Sequence, residues 1–129
     1  MFSLDVCIFV FTDKRLYNVL EHLHQNGVQV RMIVDDQMSA ISSSKAKQIY
    51  TQGVEVRTDS SQYHMHHKFA IIDNKVLMFG SFNWTVQAQK RNRENLHITS
   101  DQDIIFPFSQ EFESLWNEYA NTKPLSPRK

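Results

Sequence analysis

The chain has 129 residues, 41% of them hydrophobic and 12% aromatic, which is enough for one globular domain with a real core. Its 14 basic and 14 acidic side chains cancel, but Lys123, Arg128 and Lys129 lie after Asn121, leaving 11 basic against 14 acidic in residues 1–122. That acidic balance argues against a general polyanion binder; the single Cys7 excludes an internal disulfide and a Cys-rich zinc site.

In chain order, Leu4 to Phe11 is a near-continuous apolar run, as expected of a strand buried on both faces, with Cys7 as a small buried hydrophobe. Thr12 then reads as the cap of a helix whose Leu16, Val19, Leu20 and Leu23 form one stripe, stopped by Gly27. Val28 to Val34 alternates as a second strand and ends at Asp35-Asp36. Ser42 to Ser44 precede a short helix carrying Ala46, Ile49 and Tyr50, closed by Gly53. Val54 to Arg57 is a brief third strand, and Met65 to Asp73 a fourth. A turn at Asp73-Asn74-Lys75 leads into a return strand, Val76 to Phe79, and Leu96 to Thr99 is another. The last helix shows Phe108, Phe112, Leu115, Trp116 and Tyr119 on one side. Pro107 is expected near its first turn, with Asp101 to Phe106 as a separate turn. Alternating strands and helices followed by adjacent strands predict an α/β fold, a mixed sheet with helices on both faces. Residues 121–129 form a basic tail.

The chemistry concentrates in His66-x-Lys68-x-x-x-x-Asp73 and Gly80-Ser81-x-Asn83, a span of 18 residues. Side chains two apart on a strand share a face, so the imidazole of His66 and the ammonium of Lys68 point into one space. A lysine in a strand that otherwise reads Phe69-Ala70-Ile71-Ile72 is costly to bury without an anion, and a phosphate supplies one. Asn83 offers neutral amide donors for phosphate oxygens, and Ser81, beside Gly80, offers a hydroxyl or serves as a plain turn residue. Glu94 either orients His66 through the ring nitrogen not used in attack or pairs with Arg91 or Arg93. Asp73 has the opposite parity to Lys68 and is expected to hold the turn, with Gly80 as further structural support. Lys90, Arg91 and Arg93 make a local basic run: a solvated turn, or a patch for a phosphate backbone. His64 and His66 share a face but His67 does not, and Lys68 would repel a divalent cation, so no metal and no cofactor is expected.

This pattern resembles the HKD motif of the phospholipase D superfamily, with Glu94 where that superfamily places a supporting acid. Ser3 to Phe9, Met65 to Asp73, Gly80 to Thr85 and Asn92 to Asn95 are similar to one branch, the single-HKD mitochondrial cardiolipin hydrolases, also known as the Zucchini or mitochondrial phospholipase D family. The resemblance implies a phospholipase D-like half-domain over residues 1–120, lacking the superfamily's first strand and helix. It implies a homodimer in which one His66 attacks phosphorus to give a phosphohistidine while the partner copy's protonates the leaving oxygen. Lys68 and Asn83 from both copies would clamp the phosphoryl oxygens without a metal. Two substrates come with the family: single-stranded RNA in piRNA biogenesis, the first reading here, and cardiolipin, the alternative. A third possibility is a catalytically silent dimerisation or RNA-binding partner. Family members sit at the mitochondrial outer membrane. The longest apolar run of this chain, Val6 to Phe11, is six residues, against the ~18–20 that a span requires. The resemblance therefore implies the mitochondrial outer membrane, and with neither anchor nor leader evident a soluble, cytosolic chain is the alternative.

Overall fold

The computed structural model describes residues 1–59, 64–81, 83–85 and 95–122. Its elements are β1 (Ser3–Ile8), α1 (Lys14–Gln25), β2 (Gln29–Val34), α2 (Asp36–Ser39), α3 (Ala46–Thr51), β3 (Glu55–Thr58), β4 (Lys68–Ile72), β5 (Val76–Gly80), β6 (Leu96–Thr99) and α4 (Gln102–Glu118). The strands form one mixed sheet in the order β3-β2-β1-β4-β5-β6. β1, β2 and β3 run parallel, and β4, β5 and β6 continue the sheet antiparallel.

β1 is central and buried on both sides, which is why its sequence is apolar on both faces from Val6 to Ile8. One face of the sheet packs Val6, Ile8, Val30, Met32 and Val34 under α1 and α3, through Leu20, Ala46 and Ile49. The opposite face packs Cys7, Ile33, Phe69, Ile71 and Leu77 under α4, through Ile105, Phe112 and Trp116. Helices on both faces of a mixed sheet are what the pattern predicted.

Four local expectations are corrected. Asp13, not Thr12, caps α1, accepting from the Arg15 N–H at 2.8 Å. The buried stripe of α1 includes Tyr17 in place of Val19, which is 52% exposed. β4 begins at Lys68 rather than Met65. The reason is that the Met65 N–H donates to the Asp35 carboxylate at 2.9 Å instead of joining the ladder, and β1 pairing stops at Ile8 opposite Lys68.

The fourth concerns α4, which starts at Gln102 and carries Pro107 inside it. A helical proline loses one hydrogen bond and costs about 3 kcal/mol. Asp101 caps the start, accepting from Asp103 N at 2.9 Å, and Ile105 in the first turns is 1% exposed. A cap contributes about 1 kcal/mol and a fully buried isoleucine about 1.5–3 kcal/mol, so together they offset the proline.

The β4–β5 hairpin turns through Asp73 and Asn74, both at φ 54°, where short polar side chains tolerate the left-handed region. The Asp73 carboxylate accepts from Phe2 N at 2.6 Å and Ser3 N at 2.8 Å. Those two backbone donors hold its pKa below the usual carboxylate value.

Arg31 joins the sheet to α4. Its Nε and one terminal nitrogen donate to the Asp5 carboxylate, both at 2.9 Å, and it reaches Glu113 of α4 at 2.6 Å. Its guanidinium also lies 4.9 Å from the Phe112 ring centre and 5.4 Å from that of Trp116. Phe112→Ala empties a fully buried site and removes one face of this arrangement. It should lower unfolding free energy by about 3–5 kcal/mol, measured as a fall in the urea midpoint with unchanged slope.

Candidate active site

Three chain segments meet at the rim of the sheet where β1 and β2 end and β4 begins. Ligands of open α/β sheets gather at the C-terminal ends of such parallel strands. Phe9 follows β1, Asp35 follows β2, and His64 to His67 lead into β4.

His66 lies just outside β4, yet it still meets Lys68. The Lys68 ammonium is 3.0 Å from His66 Nδ1 and 3.3 Å from Nε2, and it donates to the His66 carbonyl at 2.9 Å. Near-equal distances to both ring nitrogens leave neither lone pair well aligned, so Lys68 acts on the ring chiefly as a nearby positive charge. Burial first, and then Lys68, hold the His66 pKa below its ordinary value of 6.5. The imidazole is therefore neutral, with a lone pair available for attack, at a lower pH than an ordinary histidine.

Phe9 forms the floor. Its ring centre is 4.5 Å from that of His66 and 5.3 Å from that of His64, and the Lys68 ammonium stands 5.3 Å from it. The ring restrains both partners of the pair without adding a charge. Its position in the apolar run Val6 to Phe11 disguised it as core.

Asn83 reaches the same rim through β1. Its side-chain oxygen accepts from Val10 N at 3.2 Å, which assigns the amide orientation and leaves the NH₂ end to donate. Its neighbour Trp84 is stitched to the same loop: Trp84 N donates to Val10 O at 3.1 Å, and Trp84 O accepts from Thr12 N and Asp13 N, both at 2.9 Å. The His66–Lys68 pair and Asn83 thus share the loop that follows β1 as their scaffold.

Ser81 sits at the end of β5. Its Oγ accepts from Asn95 N, and its own N–H donates to Asn95 O, both at 3.1 Å, which ties β5 to the start of β6. Gly80 is required for that approach, because a Cβ there would fall 2.0 Å from the Asn95 carbonyl oxygen. Glu94, Lys90, Arg91 and Arg93 lie outside the described residues.

The other two histidines diverge. His64 Nδ1 is 3.3 Å from the buried Asp35 carboxylate, while His67 Nε2 is 3.7 Å from Glu111 and its ring packs edge-on against Phe69. A cavity of about 350 Å³ opens beside His66, lined by His64, Met65, His67, Leu115 and Tyr119 as well. Burial pushes the Tyr119 hydroxyl up to about 12, so it remains a proton-bearing donor on that wall. Asp35 and Tyr119 were not singled out from sequence; the only signal for Asp35 was an acidic pair at a strand end.

Residues 2–116 match the domain family described as "Cardiolipin synthase, PLD-like domain". The mitochondrial cardiolipin hydrolase of Xenopus tropicalis is 47% identical over 117 residues, covering 91% of this chain and 56% of that protein. The human protein of the same name is 43% identical over 121 residues, covering 94% and 48%. The chain thus spans about half the length of the curated relatives it matches. Among solved structures, the phospholipase D family member Nuc from Salmonella typhimurium superposes with a TM-score of 0.83 at 28% identity, over 91% of this chain and 79% of that one. NucT from Helicobacter pylori gives 0.86 at 21% identity, over 97% and 83%, a likeness of fold. By its fold and by the match across residues 2–116, the chain belongs to the phospholipase D-like family, alongside proteins named mitochondrial cardiolipin hydrolase.

Proposed function

We propose that this chain hydrolyses phosphodiesters without a metal, using His66 as nucleophile, with single-stranded RNA as the first substrate reading. The observation that carries the reading is the contact of a lysine ammonium with an imidazole whose pKa is held low. The neutral ring supplies the electron pair, and Lys68 neutralises charge that builds on the phosphoryl oxygens. The Asn83 NH₂ end adds an uncharged donor. Attack on phosphorus forms a P–N bond and expels the leaving oxygen, which takes a proton from an imidazolium. Water, activated by the imidazole so generated, then cleaves the phosphohistidine and restores His66.

One His66 cannot be neutral nucleophile and protonated acid together. A second copy of the chain completes the site, so that the two histidines exchange roles. Ser81 and Glu94 are supporting residues in this reading, and Lys90, Arg91 and Arg93 guide the RNA backbone. RNA comes before lipid in this reading because the basic run Lys90, Arg91 and Arg93 suits a phosphate backbone. Cardiolipin is the second reading, favoured by relatives that carry cardiolipin hydrolase as their name. Among the described residues no helix is long and apolar enough to cross a membrane. The name of those relatives supports a mitochondrial location for the chain.

End-labelled single-stranded RNA incubated with the protein in EDTA should be cleaved, and His66→Asn should lose at least roughly 10³-fold in rate. Cardiolipin vesicles run in parallel separate the substrates, and an inactive wild type on both sinks the phosphodiesterase reading. Lys68→Gln removes the charge that opposes His66 protonation, so the acidic limb of the pH–rate profile should move to higher pH. Its rate at the optimum should fall about 10²–10³-fold, the usual cost of one charge-stabilising donor. If His66→Asn chains are equilibrated with an equal amount of wild type, activity per wild-type chain should fall to about half, because only wild-type pairs carry two histidines. Unchanged activity per wild-type chain would overturn the shared site.

A further inference from the structure

The His66 segment carries a second, buried determinant. We infer that Asp35 is the positioning residue for His66: its carboxylate at the end of β2 holds the backbone immediately before His66 and the imidazole of His64. The inference rests on the proposed reaction at His66 and names a part that motif spacing does not include.

Asp35 is 1% exposed, and its two oxygens divide their work. Oδ2 accepts from Met38 N at 3.0 Å, the ordinary duty of a residue capping α2. Oδ1 accepts from Met65 N at 2.9 Å and stands 3.3 Å from His64 Nδ1. Capping alone needs one oxygen, and the second is spent on the residues one and two before His66. Those residues have left the sheet, so strand pairing does not set their course. The Met65 side chain, 4% exposed, is buried in the core under α4, and with the Asp35 bond it fixes both sides of the backbone that presents His66.

Asp35 also brings a negative charge toward the ring. The charged and titratable groups around His66 are Lys68 from β4, His64 and His67 from its own segment, Asp35 from the end of β2, and Tyr119 from α4. Lys68, His64 and His67 disfavour the imidazolium, and Asp35 favours it. Asp35 is therefore the counterweight to Lys68, and the two substitutions have opposite signatures.

Asp35→Asn removes the charge and keeps one acceptor oxygen, which can serve Met65 N or Met38 N but not both; Asp35→Ala removes charge and acceptors together. In the full chain, on whichever substrate the wild type turns over, Asp35→Asn should move both limbs of the pH–rate profile to lower pH. Asp35→Ala should lower kcat on the order of 10²-fold with KM little changed, as expected when a reacting group is displaced by about 1 Å. Thermal melts of both variants separate a folded, mispositioned site from a loss of folded protein. An NMR titration of the His66 ring, assigned with His66→Asn, reads the same effect without turnover. In Asp35→Asn its midpoint should fall, and in Asp35→Ala the ring-current shift from Phe9 should shrink. If Asp35→Asn is folded and both the titration and the pH limbs match wild type, Asp35 is only a helix cap and the inference fails. If wild type turns over neither RNA nor cardiolipin while the titration still shifts, the positioning stands and the reaction assigned to the site fails.

Discussion

An acid on the central strand governs how this molecule is assembled. Asp5 lies on β1 with 8% exposure, where a carboxylate without a partner would cost several kcal/mol. Arg31, directly beside it on parallel β2, supplies a two-pronged partner. The bound guanidinium then becomes a flat, charged platform for α4, stacked with Phe112 and Trp116 and paired to Glu113. A helix seated in this way has little freedom to slide. Its last turns place Leu115 and Tyr119 on the wall of the cavity at His66. The chain of consequence runs from one buried charge, through the register of α4, to the shape of the space beside the site.

At the site itself, opposing charges act on an exposed ring. Phe9 lies against it, Lys68 lowers its affinity for a proton, and Asp35 raises it. Neither charge touches the ring through a well-aligned hydrogen bond to one nitrogen, so both nitrogens remain chemically distinct only through what a substrate or a neighbour does to them. That is useful for a group asked to attack in one half of a reaction and to carry a proton in the other. The lysine's own position is less adjustable: it starts β4, opposite Ile8 of β1, and its stem is part of the sheet.

Much of this was legible in the residues. β6 reads from sequence with the same ends as in the structure, and β2 and α3 are recognised by alternation and by the Ala46–Ile49 spacing. The His66–Lys68 proximity was also legible, although the expected reason was incomplete. Parity along a strand predicts a shared face, whereas His66 stands two residues outside the ladder and is brought back by contact with Phe9 and Lys68. What escaped was non-local. Nothing near Met65 announces that its N–H will be taken by a carboxylate 30 positions earlier. Nothing near Pro107 announces that Asp101 and the burial of Ile105 will carry a helix through it. The acidic balance of residues 1–122 and the basic run at 90–93 are sequence facts whose spatial relation to the site lies outside the described residues.

The proton inventory gives the strongest reason to look beyond one chain. Displacement at phosphorus by a neutral imidazole needs a separate acid for the leaving oxygen. Among the described residues the other candidates are poor. Lys68 is placed to hold charge, and ammonium groups give up a proton reluctantly at neutral pH. Tyr119, at about 12, is weaker still. His64 is turned to Asp35 and His67 to Glu111, each engaged away from the lone pair that attacks. In the proposed reaction, the imidazolium facing the same phosphorus would be a second His66 related by a two-fold axis. On that view, identical residues act as acid and base because their order of protonation differs, not their surroundings. The balance of Lys68 against Asp35 then matters twice, since it sets the window of pH in which one copy of the ring is charged and the other is not.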